Sequence, residues 1–267
     1  NQASGRNADS TGMRVRGLVG ALLCVAVGVP FAPSVWAEAH ADSIGLFNPG
    51  TAEWHLRTSS GSITSFFFGA PGDIPLTGDW DCDGTDTPGV FRPTTGQVYL
   101  RNSTSTGEAD IEFFFGMAGD APVAGDWNGD GCDTFGVYRN GTAHIRNTLD
   151  TGVADQSFFF GVPGDRPSGG DFDGDGRSTL GLHRESNLRI YIRQSLTTGG
   201  SDLEFFYGDI RDQVVFGDWD GDGDDTVGVY RSSAGRFFLS NEHGMPTADI
   251  EIPFGGGQFV PVAGFFG

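Results

Sequence analysis

The sequence contains no lysine. All sixteen of its basic residues are arginine, against 35 aspartates and glutamates, for a formal net charge of −19. That balance excludes nucleic acid as a partner, because binding it needs a basic face for the phosphates. Cysteine is scarce, with three in 267 residues, and no Cys/His cluster has the spacing of a zinc site. Only Cys82 and Cys132 lie beyond residue 41. Whether they pair turns on a Cα separation under about 7 Å, which the sequence leaves open. Long apolar runs are absent apart from residues 17–32, and that run is too short and too broken by Gly and Pro to span a membrane. It follows the basic start Met13-Arg14-Val15-Arg16 and precedes small residues at Ala37, Ala39 and Ala41. This is the pattern of an export signal cut after Ala39 or Ala41. Residues 1–41 are therefore read as upstream residues plus a secretory signal peptide. Residues 42–267 are read as the mature chain, secreted or displayed at the cell surface, with no membrane span.

What is abundant is glycine (44) and phenylalanine (23), a composition that favours short strands joined by tight turns. It is organised as a repeat. FFFG ends at Gly69, Gly116 and Gly161, FFYG at Gly208 and PFG at Gly255, at steps of 47, 45, 47 and 47 residues. GDW or GDF starts at Gly78, Gly125, Gly170 and Gly217 with the same period, so the repeat is structural. Within a unit, Trp54/Leu56, Val98/Leu100, Ala143/Ile145, Ile190/Ile192 and Phe237/Leu239 alternate with His55/Arg57, Tyr99/Arg101, His144/Arg146, Tyr191/Arg193 and Phe238/Ser240. Period two means strand. The first complete unit reads as four strands, near 74–80, 88–92, 97–102 and 110–115. The one 45-residue step comes from a hairpin shortened to Asn140-Gly141, the preferred two-residue turn.

Four-stranded units at this spacing predict an all-β, five-bladed propeller of antiparallel blades. The ends predict how the ring closes. Pro261-Val-Ala-Gly264 repeats the first strand Pro122-Val-Ala-Gly125, and Asp42-Ser-Ile-Gly45 matches Asp225-Thr-Val-Gly228. The C-terminal strand should therefore complete the blade that the N-terminus begins, leaving no free edge there.

Fifteen of the 35 acidic residues fall in four loops after the first strands: DWDCDGTDT from Asp79, DWNGDGCDT from Asp126, DFDGDGRST from Asp171 and DWDGDGDDT from Asp218. Carboxylates at loop positions one, three and five converge, and a Gly at six permits the sharp turn. The backbone carbonyl at seven adds another oxygen, which together suits Ca²⁺. The candidate ligands are Asp79, Asp81, Asp83 and Thr85; Asp126, Asn128, Asp130 and Cys132; Asp171, Asp173, Asp175 and Arg177; and Asp218, Asp220, Asp222 and Asp224, for up to four ions. The competing reading is a set of Asx-type turns held by local hydrogen bonds alone.

These loops, with the run Phe68-Gly69-Ala70-Pro71 before the first, resemble the FG-GAP/VCBS-type repeats of integrin-like and bacterial surface propellers, over residues 42–267. The resemblance implies Ca²⁺ between the first and second strands of a blade. The usual acid at loop position nine is here Thr87, Thr134, Thr179 or Thr226. Acid stands instead at eight, as Asp86, Asp133 and Asp225, which become candidates for the late ligand. Ser178 takes that place in the third loop, which should bind most weakly.

The recurring Trp80, Trp127, Phe172, Trp219 and Phe266 are expected to pack between blades. Arg92, Arg139, Arg184 and Arg231 are expected to pair with nearby carboxylates. His183 replaces a repeated aromatic, and Glu185 has no counterpart in the other units. This pair is the sole hint of a site that breaks the symmetry. The functional expectation is a non-catalytic module that binds an extracellular protein or glycan. The alternatives are a propeller glycoside hydrolase, which needs two carboxylates about 5–10 Å apart, and a structural surface component.

Overall fold

The computed structural model describes residues 40–267; the expected signal peptide lies outside them, apart from the alternative cut after Ala41. The chain forms twenty strands and no helix among the described residues. They are β1 (Ser43–Asn48), β2 (Glu53–Arg57) and β3 (Ile63–Phe67); then β4 (Ile74–Gly78), β5 (Thr87–Arg92), β6 (Gln97–Leu100) and β7 (Ile111–Phe114). The next unit is β8 (Ala121–Gly125), β9 (Thr134–Arg139), β10 (Thr142–Arg146) and β11 (Gln156–Phe159). It is followed by β12 (Arg166–Gly170), β13 (Thr179–Arg184), β14 (Arg189–Arg193) and β15 (Leu203–Phe206). The last strands are β16 (Gln213–Gly217), β17 (Thr226–Arg231), β18 (Arg236–Leu239), β19 (Ile250–Pro253) and β20 (Val260–Gly264).

They make five antiparallel four-stranded sheets, four of them consecutive and one in the order β20-β1-β2-β3. Closure occurs where the sequence places it. β1 pairs with β20 from Ser43↔Gly264 to Phe47↔Val260. The first strands touch in succession, β4 on β8, β8 on β12, β12 on β16, β16 on β20 and β20 on β4, which is a ring of five blades. The Asn140-Gly141 turn has φ of 50° and 88°, the left-handed pair a two-residue hairpin requires.

No blade has a core of its own. Each of five apolar clusters joins one face of a blade to the next blade: Phe91, Val98, Leu100, Phe113 and Phe115 pack on Phe135 and Val137. The closing cluster sets Tyr230, Phe237 and Leu239 against Ile44 and Leu46. Trp80, Trp127, Phe172, Trp219 and Phe266 are buried, as packing residues should be, and each such side chain contributes roughly 1.5–3 kcal/mol. The triplet phrase splits by alternation, with Phe113 and Phe115 buried and Phe114 exposed. The open edge of three of the five fourth strands is bonded by the next blade. The amides of Phe67, Phe114 and Phe159 donate to the hydroxyls of Thr106, Thr151 and Thr198 at 3.0 Å, which blunts an edge that could template aggregation.

The repeated arginines find repeated acids. Arg92 holds Asp73, Arg139 holds Asp120, Arg184 holds Asp165 and Arg231 holds Asp212. All four carboxylates are buried, and each also accepts a backbone amide of the turn before it, as Asp73 does from Ala70 at 2.9 Å. These pairs tie the turn before the first strand to the end of the second.

Candidate functional site

Each Asp loop is organised by its first residue. Asp79 accepts the amides of Asp83 (3.0 Å) and Gly84 (2.8 Å). Asp171 does the same for Asp175 and Gly176, and Asp218 for Gly221, Asp222 and Gly223. This local bonding turns the chain so sharply that carboxylates one, three and five come together. Ligand oxygens of Asp79/Asp81/Asp83, Asp171/Asp173/Asp175 and Asp218/Asp220/Asp222 lie within 4.8 Å of one another. Partial burial and the neighbouring carboxylates raise the pKa of Asp81, Asp173 and Asp220. Asp224 is pushed up to about 6, first by desolvation and then by its hydrogen bond to Asp222. Like charges at this spacing repel, which a cation between them would relieve, and an all-oxygen, flexible donor set fits Ca²⁺.

The second loop differs. The Asn128 amide donates to Asp130 Oδ2 at 2.9 Å, and its oxygen accepts the Asp130 amide at 3.0 Å. Asn128 and Asp130 there satisfy one another, while all four loops close on an amide accepted by their first residue. The third loop, expected to be weakest, has the same convergent trio as the first and fourth. The position-seven residues Thr85, Cys132 and Asp224 donate their amides to the carboxylate two residues earlier, Asp83, Asp130 and Asp222, which holds the loop's last turn.

Successive loops touch through positions four and seven. A Cβ at Gly129 would lie 2.9 Å from Arg177 Cγ, and one at Gly174 would lie 3.9 Å from the Asp224 Cβ. In the first junction the same contact is Cys82 and Cys132, whose Cα atoms are 4.8 Å apart and whose sulfurs are bonded. Cys132 is thus a crosslink between blades. Cys82 has φ of 63° where the other loops use Gly129, Gly174 and Gly221, so the crosslink offsets a left-handed backbone that costs a non-glycine residue about 1–2 kcal/mol.

The position-eight acids do not join the clusters of their own loops. Each stands immediately before its second strand, where alternation turns the side chain toward the neighbouring blade. Asp133 accepts the amide of Asp79, Asp225 that of Asp171 and Asp86 that of Phe265. Ser178 does this for Asp126 and Asp42 for Asp218. The return bonds run from the amides of Asp42, Asp86, Asp133, Ser178 and Asp225 to the carbonyls of the same partners. The result is a five-fold clasp around one end of the central channel, with Asp42 as the fifth member. Burial pushes Asp133 and Asp225 up to about 7. Burial, and then the charge of Asp133 on Asp86 and of Asp225 on Asp42, holds Asp86 and Asp42 well above the usual carboxylate range. Sequence reasoning missed this role, although the equivalence of Asp42 and Asp225 was the signal for it.

No family profile matches the chain, and no curated protein matches it. Among solved structures, the fold is similar to selenomethionine-substituted virginiamycin B lyase from Staphylococcus aureus, at 13% identity with a TM-score of 0.40, covering 80% of this chain and 73% of that one. A likeness that distant says nothing about chemistry.

Proposed function

We propose that this protein is a secreted, calcium-stabilised and non-catalytic propeller module that binds an extracellular protein or glycan. The observation that carries the calcium reading is the convergence of three carboxylates in three separate loops at one position of the fold. Short glycine-rich loops lose much conformational entropy on ordering, and an ion bound only by the folded state offsets that loss by mass action. The ligands are the acids at positions one, three and five, with the carbonyls of Thr85, Arg177 and Asp224. The second loop, with Asn128 in place of an acid, is the weakest site.

The non-catalytic reading is supported by how the remaining acids are used. Asp73, Asp120, Asp165 and Asp212 are held by arginines. Asp110, Asp155, Asp202 and Asp249 accept the amides of Asn102, Asn147, Gln194 and Asn241, just beyond the third strand of the same blade. Each set recurs from blade to blade and stabilises a turn. A rigid ring with loops gathered on two faces suits recognition. The test is thermal unfolding in calcium and in excess EGTA. Chelation should lower the melting temperature by several degrees; identical melting in both buffers would remove calcium from the account.

A further inference from the structure

Blade four departs from the repeat at three polar positions that meet at one place. The first strands begin with Ile74, Ala121, Gln213 and Val260, but β12 begins with Arg166. The fifth residue of the second strand is Phe47, Phe91, Tyr138 or Tyr230, but in β13 it is His183. Arg166 and His183 are direct cross-strand partners. Glu185, two residues on, reaches back to Arg166 at 2.7 Å. The aromatic missing from β13 is supplied by its neighbour. Phe216, where other first strands carry Thr77, Ala124, Gly169 or Ala263, stacks edge-on with Phe172 at 5.0 Å. It also packs over Gly181, where a Cβ would come within 3.3 Å of its ring. The core is thus filled from β16, and the imidazole of His183 is left at the channel wall.

His183, Arg166, Glu185 and Ser168 all line the central cavity of about 500 Å³, a size typical of small-ligand sites. His183 is 7% exposed and makes no hydrogen bond among the described residues. Its imidazole lines the cavity, where a ligand has room to hydrogen-bond it. We infer that this end of the channel is a ligand site and that its ligand is a neutral, hydroxyl-bearing saccharide unit; the inference deepens the binding-module reading and rests on it. Three features select that chemistry. Arg166 and Glu185 neutralise each other, so the site offers a donor and an acceptor side by side without net charge. The neutral imidazole adds one of each, and a hydroxyl is itself both donor and acceptor. Pro75, Pro122 and Pro261 give the cavity apolar walls for the C–H faces of a sugar ring. Anionic sugars are disfavoured by the −19 charge.

The experiment is a glycan array holding neutral and acidic glycans, probed in calcium with the full chain, with His183→Phe and with Glu185→Gln. His183→Phe restores the aromatic of the other blades. Glu185 is exposed, so Glu185→Gln decides the matter should His183→Phe disturb packing. The expected result is binding of neutral glycans, weakened by about 10-fold or more in both variants, with melting temperatures unchanged. Glycan binding that survives both substitutions, binding confined to acidic glycans, or no glycan binding would each overturn the inference. None of those outcomes touches the calcium reading, which stands or falls on chelation.

Discussion

The carboxylate of Asp133 accepts the backbone amide of Asp79 at 2.9 Å, and the amide of Asp133 donates to the carbonyl of Asp79 at 2.9 Å. Two adjacent blades are joined at the channel by this reciprocal pair. The same reciprocal bonding recurs at all five junctions, with the Ser178 hydroxyl in place of a carboxylate at one, so the ring is bound by backbone groups as well as by its apolar clusters.

The clasp has a pH signature. Asp133 and Asp225 have folded pKa values of about 7 against an ordinary value of 3.8. A raised folded pKa means stability that is complete at low pH and lost as pH rises through about 7. In EGTA, the protein should therefore melt higher at pH 6 than at pH 8. Asp133→Asn keeps the acceptor oxygen and removes the charge, so it should stabilise the metal-free protein at pH 8 by on the order of 1–3 kcal/mol and flatten the profile. Calorimetric melts across that range check both effects.

The crosslink between Cys82 and Cys132 closes a 50-residue separation. Its loss should cost roughly 2–4 kcal/mol. Because Cys82 has φ of 63°, replacing it with glycine relieves strain that alanine retains. Cys82→Gly with Cys132→Ser should therefore be more stable than Cys82→Ala with Cys132→Ser by about 1 kcal/mol, measured by urea unfolding.

Ring closure depends on nine residues at the end of the chain. Deleting 259–267 removes β20 from β1, takes Val262 and Phe266 out of an apolar cluster and leaves Asp86 without Phe265. The shortened chain should lose its single cooperative transition. A melt as sharp and as high as that of the intact protein would mean that the blades stand without closure.

The blades were legible because two phrases keep one period and the third strands alternate, and both signals are local. The closure at β20 was legible from the match of Pro261-Val-Ala-Gly264 to an internal strand. The convergence of Asp79, Asp81 and Asp83 followed from loop chemistry. What the sequence did not reveal depends on contacts between blades. Position eight reads as a loop residue, and only the ring places Asp133 against Asp79. The pairing of Cys82 with Cys132 likewise needed the approach of loop positions four and seven. His183 and Glu185 stood out as breaks in the pattern, but Arg166 joined them only once β12 was paired with β13.

A crystal structure grown in calcium tests the central claim most directly. The account predicts an ion in the first, third and fourth loops, bound by the acids at positions one, three and five with six to eight oxygens at about 2.3–2.6 Å. Loops closed on their own amides, with Asp81, Asp173 and Asp220 turned to solvent and no ion between the carboxylates, would contradict it.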